Sequence, residues 1–342
     1  MPILKMIQRQ RDALRITVSA LALLSVATAQ AADPTPAKSV PEQLVDTLEQ
    51  LAGGPHAGYR ANHAKGIVVT GSFTPTPAAR GLSKAEHFQG PKVPVLVRFS
   101  DTTGVPNLPD ANPNASPHGI AIRFQLADNE STDIVSISYN GFPVATPEDF
   151  LTFLNAVAAS RADAPKPTPV ETFLASHPAA KAFATDPKPA PVSFATLPFY
   201  GVNSFSFTNA KGESHYGRYR IIPVAGDHRL SPAEVEKATP NYLMDELPQR
   251  LAKGPVKFKI SVQLAQDGDA ITDGSIAWGD DHKEVALGTL TLTKVLANSA
   301  TIEKQLAFSP LRLTGGIAPS ADPVLLARPA AYAISLGRRI GK

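Results

Sequence analysis

Eight segments alternate between apolar and polar residues, and that alternation restricts the chain to a β-rich fold. They read GIVVTGSF, VPVLVRFS, GIAIRFQL, DIVSIS, NSFSFTN, GRYRIIPV, FKISVQLA and ALGTLTLTKV, in order from Gly66 to Val295. A period of two turns every second side chain to the same face, so each segment is a strand with one face to hide. That many half-buried strands need a large antiparallel sheet or a closed barrel. Helical stretches interrupt the later half: Thr146 and Pro147 open PEDFLTFLNAVAAS as N-cap and first helical residue, and Ser231, Pro232 and Glu234 form a capping-box start. Strands, helices, strands and then helices make the class α+β, not a doubly wound parallel sheet. RADAPKPTPV and ATDPKPAPVS read as connectors.

The N-terminus has basic residues through Arg15, an apolar run from Ile16 to Ala29 and small residues at Ala29 and Ala31. This is the pattern of a secretory signal peptide, residues 1–31, and places the protein in the periplasm. Residues 32–52 form a Pro/Ala tether with one helix, VPEQLVDTLEQLAG. No other stretch approaches the ~20 apolar residues of a membrane span. With 342 residues the chain can bury an ample core, and the absence of cysteine excludes disulfides, thiolate metal sites and a cysteine nucleophile. A net charge of +3 without a basic stripe argues against nucleic acid. HExxH, GxSxG and P-loop patterns are missing, which removes the common hydrolase and nucleotide readings.

Three places could carry chemistry. In RPAAYAISLGRR a helix aligns Arg328, Tyr332 and Arg339 along one side, although such arginines also complement a helix dipole and a single tyrosine is commonly just packed. YRANHAKG sets His63 between Arg60 and Lys65, directly before the first strand. In VPVLVRFS, Arg98 and Ser100 share one face while Val95, Val97 and Phe99 take the other.

RANHAKG, VRFS, PHGIAIRFQL leading to DIVSIS, the hairpin-like SFSFTNAKGE, and LAFSPLRLTGGIAPSADPVLLARPAAY occur in the same order as in heme catalases. The chain resembles the small catalase-related peroxidases from about Gly53 to Arg339. The resemblance implies a closed antiparallel barrel of about eight strands with surrounding helices, formed by residues 53–342 and holding one heme b. It implies Tyr332 as the iron ligand and Arg328 as the positive charge that favours its phenolate. Arg60, Arg98 and Arg339 then become partners of the heme propionates, since guanidinium binds carboxylate bidentately. His63 corresponds to the distal acid/base, Ser100 to the serine bonded to its far ring nitrogen, and Phe142 to an aromatic near the heme. If His63 were not the distal residue, His118 would be the next candidate.

The match has departures. The distal asparagine of large catalases aligns with Ser138, with Asn140 two residues on. The histidine after the NxxG hairpin aligns with Arg220, and Pro143 replaces a second phenylalanine. The chain ends shortly after Arg339, where large catalases continue, so the heme is expected to be more exposed and the assembly to be a monomer or small homo-oligomer. No nucleotide site is expected. The expected activity is peroxidase, with hydrogen peroxide and a small organic reductant as partners, organic peroxides as further substrates, and weak catalase activity. Two rivals remain: a fatty-acid hydroperoxide isomerase resembling allene oxide synthase, and a non-catalytic exported heme-binding protein.

Overall fold

The computed structural model describes residues 37–297 and 299–341, so the leader read in residues 1–31 lies outside the described residues. The strands are β1 (Gly66–Pro75), β2 (Val93–Ser100), β3 (Gly119–Gln125), β4 (Ser131–Ile137), β5 (Phe199–Tyr200), β6 (Phe205–Thr208), β7 (Ser214–Pro223), β8 (Val256–Leu264), β9 (Glu284–Val295) and β10 (Ile317–Pro319). The helices are α1 (Val40–Leu51), α2 (Pro77–Leu82), α3 (Glu86–Gln89), α4 (Pro147–Ala159), α5 (Pro169–Ser176), α6 (Pro178–Thr185), α7 (Pro232–Val235), α8 (Tyr242–Lys253), α9 (Ser299–Gln305) and α10 (Pro323–Arg339). Among the described residues no helix is long and apolar enough to cross a membrane.

Strands β1, β2, β3, β4, β5, β7, β8 and β9 pair in that order, all antiparallel, and β9 returns to β1. The eight-stranded barrel implied by the resemblance is therefore present. Its membership differs by one strand from the periodic segments. NSFSFTN becomes β6, which lies outside the closed ring and pairs with the first half of β7, with β10 beyond it. The eighth place is taken by β5, whose two residues bridge β4 and the second half of β7. Two residues are too few to show a period.

The barrel interior is solid. Phe73, Phe99, Phe124, Phe194, Phe199 and Phe258 are fully buried there, with Phe99 and Phe194 stacked at 5.2 Å and Phe73 edge-on to Phe124 at 5.2 Å. Eight strands enclose a space just wide enough for such side chains, so a large ligand has to sit on the outside. Helices cover that outside where their caps start them. Thr146 accepts from Asp149 N and Pro147 takes the first position of α4; Ser231 and Glu234 complete the capping box of α7, which lasts only four residues. The compact unit runs from Lys38 to Lys342 and includes α1, which buries Leu44 and Val45 and packs on α4 and α10.

One polar side chain inside this core predicts an acid response. The His87 ring lies 4.0 Å from Phe88 and 4.7 Å from Phe124, Nδ1 has no hydrogen-bond partner, and burial pushes its pKa down to about 3. The folded value is below the unfolded 6.5, so the unfolded chain takes up a proton that the native state refuses. His87's contribution to stability falls as the pH drops from 6.5 toward 3. Relative to wild type, His87→Leu is therefore expected to gain a few kcal/mol on acidification from about pH 7 to about pH 4. Urea titrations of both proteins at the two pH values measure it, and an unchanged difference would contradict the buried neutral ring.

Candidate active site

Antiparallel register brings the barrel half of the site together. Ser100 stands opposite Gly119, and Gly119 opposite Ile137; one row along, Arg98 stands opposite Ala121 and Ala121 opposite Val135. All six belong to the outward faces of β2, β3 and β4, while Val95, Val97 and Phe99 point inward and are buried as the alternation requires. The glycine and alanine flatten this wall. Above it hangs His63, at positive φ (56°) in the loop before β1, with its ring Nδ1 3.1 Å from Ser100 Oγ. Arg98 Nη2 donates to the carbonyl of His63 at 2.9 Å and holds that strained backbone in place. Burial first, then the charges of Arg98, Arg60 and Arg328, push the His63 pKa down to about 3. The imidazole is thus neutral and able to accept a proton.

Gly119 has no alternative here. A Cβ at that position would lie 2.8 Å from Ser100 Oγ and 3.0 Å from the His63 ring. If the site holds heme as the resemblance implies, Gly119→Ala is expected to displace the pair and slow reaction with peroxide by about 10- to 100-fold while leaving heme content intact. Stopped-flow mixing of the heme-loaded variant with peroxide reads this, and a wild-type rate would show that the pair can move aside freely.

The opposite wall is α10. Asp322 caps it, Oδ1 accepting from Val324 N at 2.9 Å and Leu325 N at 3.1 Å, and Pro323 takes the first position. The helix extends N-terminally beyond RPAAYAISLGRR, and its Val324, Ala327, Arg328, Ala331, Tyr332, Ser335 and Arg339 face a cavity of about 280 Å³ shared with His63, Arg98 and Ser100. Arg328 donates twice to the Tyr332 hydroxyl oxygen, from Nε at 3.1 Å and Nη2 at 2.8 Å. Its Nη1 donates to Asn203 Oδ1 at 2.7 Å, and Asn203 Nδ2 donates to Asp322 Oδ2 at 2.7 Å. A guanidinium fixed in this way presents a positive charge and two N–H groups to one phenol oxygen.

At one end of the slot Arg60, Arg98 and Arg339 surround a single carboxylate, Glu303. Arg98 Nε is 2.7 Å and Arg60 Nη1 3.6 Å from Glu303 Oε2, and both Arg60 Nη2 (2.6 Å) and Arg339 Nη2 (3.0 Å) donate to Leu306 O. Burial, followed by the Arg98 and Arg339 charges, drives the Arg60 guanidinium down to about 8; burial and then Arg98 drive Arg339 down to about 10. Guanidinium gives up its proton only with great difficulty, so the cluster asks for anions. Leu44, Leu48, Phe142, Pro147 and Phe150 give the same cavity an apolar lining.

The protein-family model for Catalase matches residues 47–342. The chain belongs to the catalase family. It is 35% identical over 304 residues to a catalase-related peroxidase of Mycolicibacterium paratuberculosis, covering 88% of this chain and 95% of that one. To a catalase-related peroxidase of Synechococcus elongatus it is 33% identical, covering 87% and 88%. Among solved structures, a fungal catalase superposes with a TM-score of 0.73 at 22% identity, covering 90% of this chain; this chain spans 64% of that one.

A catalase-family cofactor fits the slot on this chain's own features. Heme is flat, apolar over most of its area and carries two carboxylates on one edge. The walls are flat and mostly apolar, and three guanidiniums against one carboxylate leave two positive charges for two propionates. Among the described residues no group of three or more His, Cys, Asp or Glu side chains could hold a metal ion.

Several catalase-family alignments move in three dimensions. Neither Ser138 nor Asn140 lines the cavity: Ser138 Oγ accepts from His118 N at 2.9 Å, and Ile137 occupies the outward position of β4. His118 turns into the barrel interior, with Nδ1 3.0 Å from Asp101 Oδ1 and its ring edge-on to Phe194, so it cannot substitute for His63. Arg220 is held by Asp280 (2.9 Å) and Glu284 (3.2 Å), and Asn203 takes the bridging role beside Arg328. Lys65, beside His63 in sequence, is a structural cation on Asp110. Glu303, Asn203 and Gly119 escaped sequence reasoning. Asp322 was missed as well, although it alone carried a signal, the Asp-Pro start of a helix.

Proposed function

We propose that this catalase-family protein is a heme peroxidase that uses heme b to reduce hydrogen peroxide with electrons from a small organic donor, with organic peroxides as further substrates and weak catalase activity. The observation that carries the reading is one cavity with a doubly hydrogen-bonded phenol oxygen on its helical wall and a neutral histidine on its barrel wall. Bound heme supplies the redox-active iron. Tyr332 Oη would hold it from the helical side, its negative charge compensated by Arg328. Arg60, Arg98 and Arg339 would hold the propionates. With Nδ1–H donating to Ser100 Oγ, His63 Nε2 carries the lone pair that takes a proton from peroxide and returns it to the departing oxygen as water forms. Two donor molecules each give up one electron and one proton, so that one peroxide becomes two waters. Weak catalase activity follows from Ile137, which offers no hydrogen bond to orient a second peroxide. The leader-like pattern of residues 1–31 in the sequence supports a periplasmic location.

The test is reconstitution of the purified chain with heme b. One heme per chain, charge-transfer bands of a tyrosinate ligand, and peroxide-dependent oxidation of a phenol are expected. Heme uptake without turnover would return the heme-binding protein, and rearrangement of a lipid hydroperoxide without donor oxidation would return the isomerase.

A further inference from the structure

A second cavity, of about 250 Å³, lies against the arginine end of the site and is lined by Glu49, His56, Ala57, Tyr59, Arg60 and Arg339, among others. Arg60, Ala61 and Arg339 line both cavities, so a single layer of residues separates them. Tyr59 and Ala57 on its wall are exposed, Tyr59 at 48%, so the second cavity is open to solvent. We propose that it is the electron-donor site and that it takes a neutral phenol. This rests on the peroxidase reading above.

Charge selects the donor class. The two positive charges left over by Glu303 are matched by two propionates. The one further arginine lining the cavity, Arg338, is already held by Asp46 and Glu49 at 2.6 Å each. Among the described residues that line the cavity, no cation is left over to pair with an anionic donor. A flat neutral ring, in contrast, can stack on the faces of Arg60 and Arg339 without displacing their hydrogen bonds. His56 then completes the chemistry. Its Nε2 is 3.0 Å from Ala52 O, and because a carbonyl only accepts, Nε2 carries the proton and Nδ1 is left as an acceptor without a partner among the described residues. As the phenol gives an electron across the arginine layer to the peroxide-oxidised cofactor, its O–H bond breaks and the proton passes to Nδ1. The phenoxyl radical leaves through the open mouth.

The experiment uses heme-loaded protein and guaiacol as the probe. In the ferric resting state, paramagnetic relaxation of the guaiacol ring protons reports binding beside the heme. Stopped flow, with stoichiometric peroxide added before guaiacol, then separates the peroxide step from donor oxidation. Ala57→Trp fills the cavity and is expected to weaken the relaxation effect and donor oxidation by about tenfold or more, with heme content and the peroxide step as controls. His56→Phe should keep the binding and slow donor oxidation by ~10²-fold, with loss of its solvent isotope effect. Wild-type relaxation and donor oxidation in Ala57→Trp would overturn the site. If wild type failed to react with peroxide, the peroxidase reading would fall, while relaxation that is lost in Ala57→Trp would still support the cavity as a phenol site.

Discussion

Tyr332→Phe is expected to lose stable heme retention. The substitution keeps the ring and the packing of α10 but removes the oxygen to which Arg328 donates twice, at 2.8 and 3.1 Å. Partners one shell out from a metal are worth roughly 10- to 100-fold in affinity, and loss of the ligand itself should cost more than that. Arg328→Leu provides the graded comparison: the phenol remains, its compensating charge is gone, and retention should fall within the 10- to 100-fold range. Heme transfer to an apo-globin acceptor, together with the visible spectrum, measures both. Wild-type retention in Tyr332→Phe would remove Tyr332 as the iron ligand.

His63→Ala is expected to keep its heme and lose most of its reactivity toward peroxide. Tyr332, Arg60 and Arg339, the side chains proposed to hold heme, make no hydrogen bond to the imidazole, so the cofactor should load normally. The proton shuttle disappears. A positioned acid/base group is worth ~10²- to 10⁴-fold, and one residue here serves as both base and acid, so the upper part of that range applies. Ser100→Ala should cost less, because Ser100 only fixes the tautomer through its 3.1 Å bond. Stopped-flow mixing with stoichiometric peroxide reads the rate. Since the His63 pKa is pushed down to about 3, the wild-type rate should stay flat from neutral pH to well below pH 6 and fall only as His63 gains its proton.

Much of the barrel could be read from the residues because most of its strands are long and alternate strictly. Phe99 inside and Arg98 outside follow from neighbouring positions in VRFS. β5 could not be read in this way, since two residues carry no period, and nothing local in NSFSFTN indicates that β6 will lie outside the closed ring. The helical wall was legible in part: the spacing of Arg328, Tyr332 and Arg339 put them on one face, and all three line the cavity. Ser138 and Arg220 were assigned by counting along aligned segments. Counting fails where one residue of offset turns a side chain to the other face of a strand or to the outside of the barrel.

By itself the sequence determined the strand faces, the α+β class, the one-sided display of Arg328, Tyr332 and Arg339, and the pairing of Arg98 with Ser100 on an outward face. These are consequences of local periodicity, which the backbone geometry of helix and strand converts directly into direction. Only the tertiary structure decided that a phenylalanine-filled barrel leaves the site on its outer wall, and that Gly119 clears room for the His63–Ser100 pair. It alone brought Glu303 among three arginines and made Asn203 the link from Asp322 to Arg328. Asn203–Asp322, Arg328–Asn203 and Arg98–Glu303 join residues 119, 125 and 205 positions apart. A buried polar group must find a partner, but which distant atom supplies it depends on how the elements pack, and no local pattern encodes that.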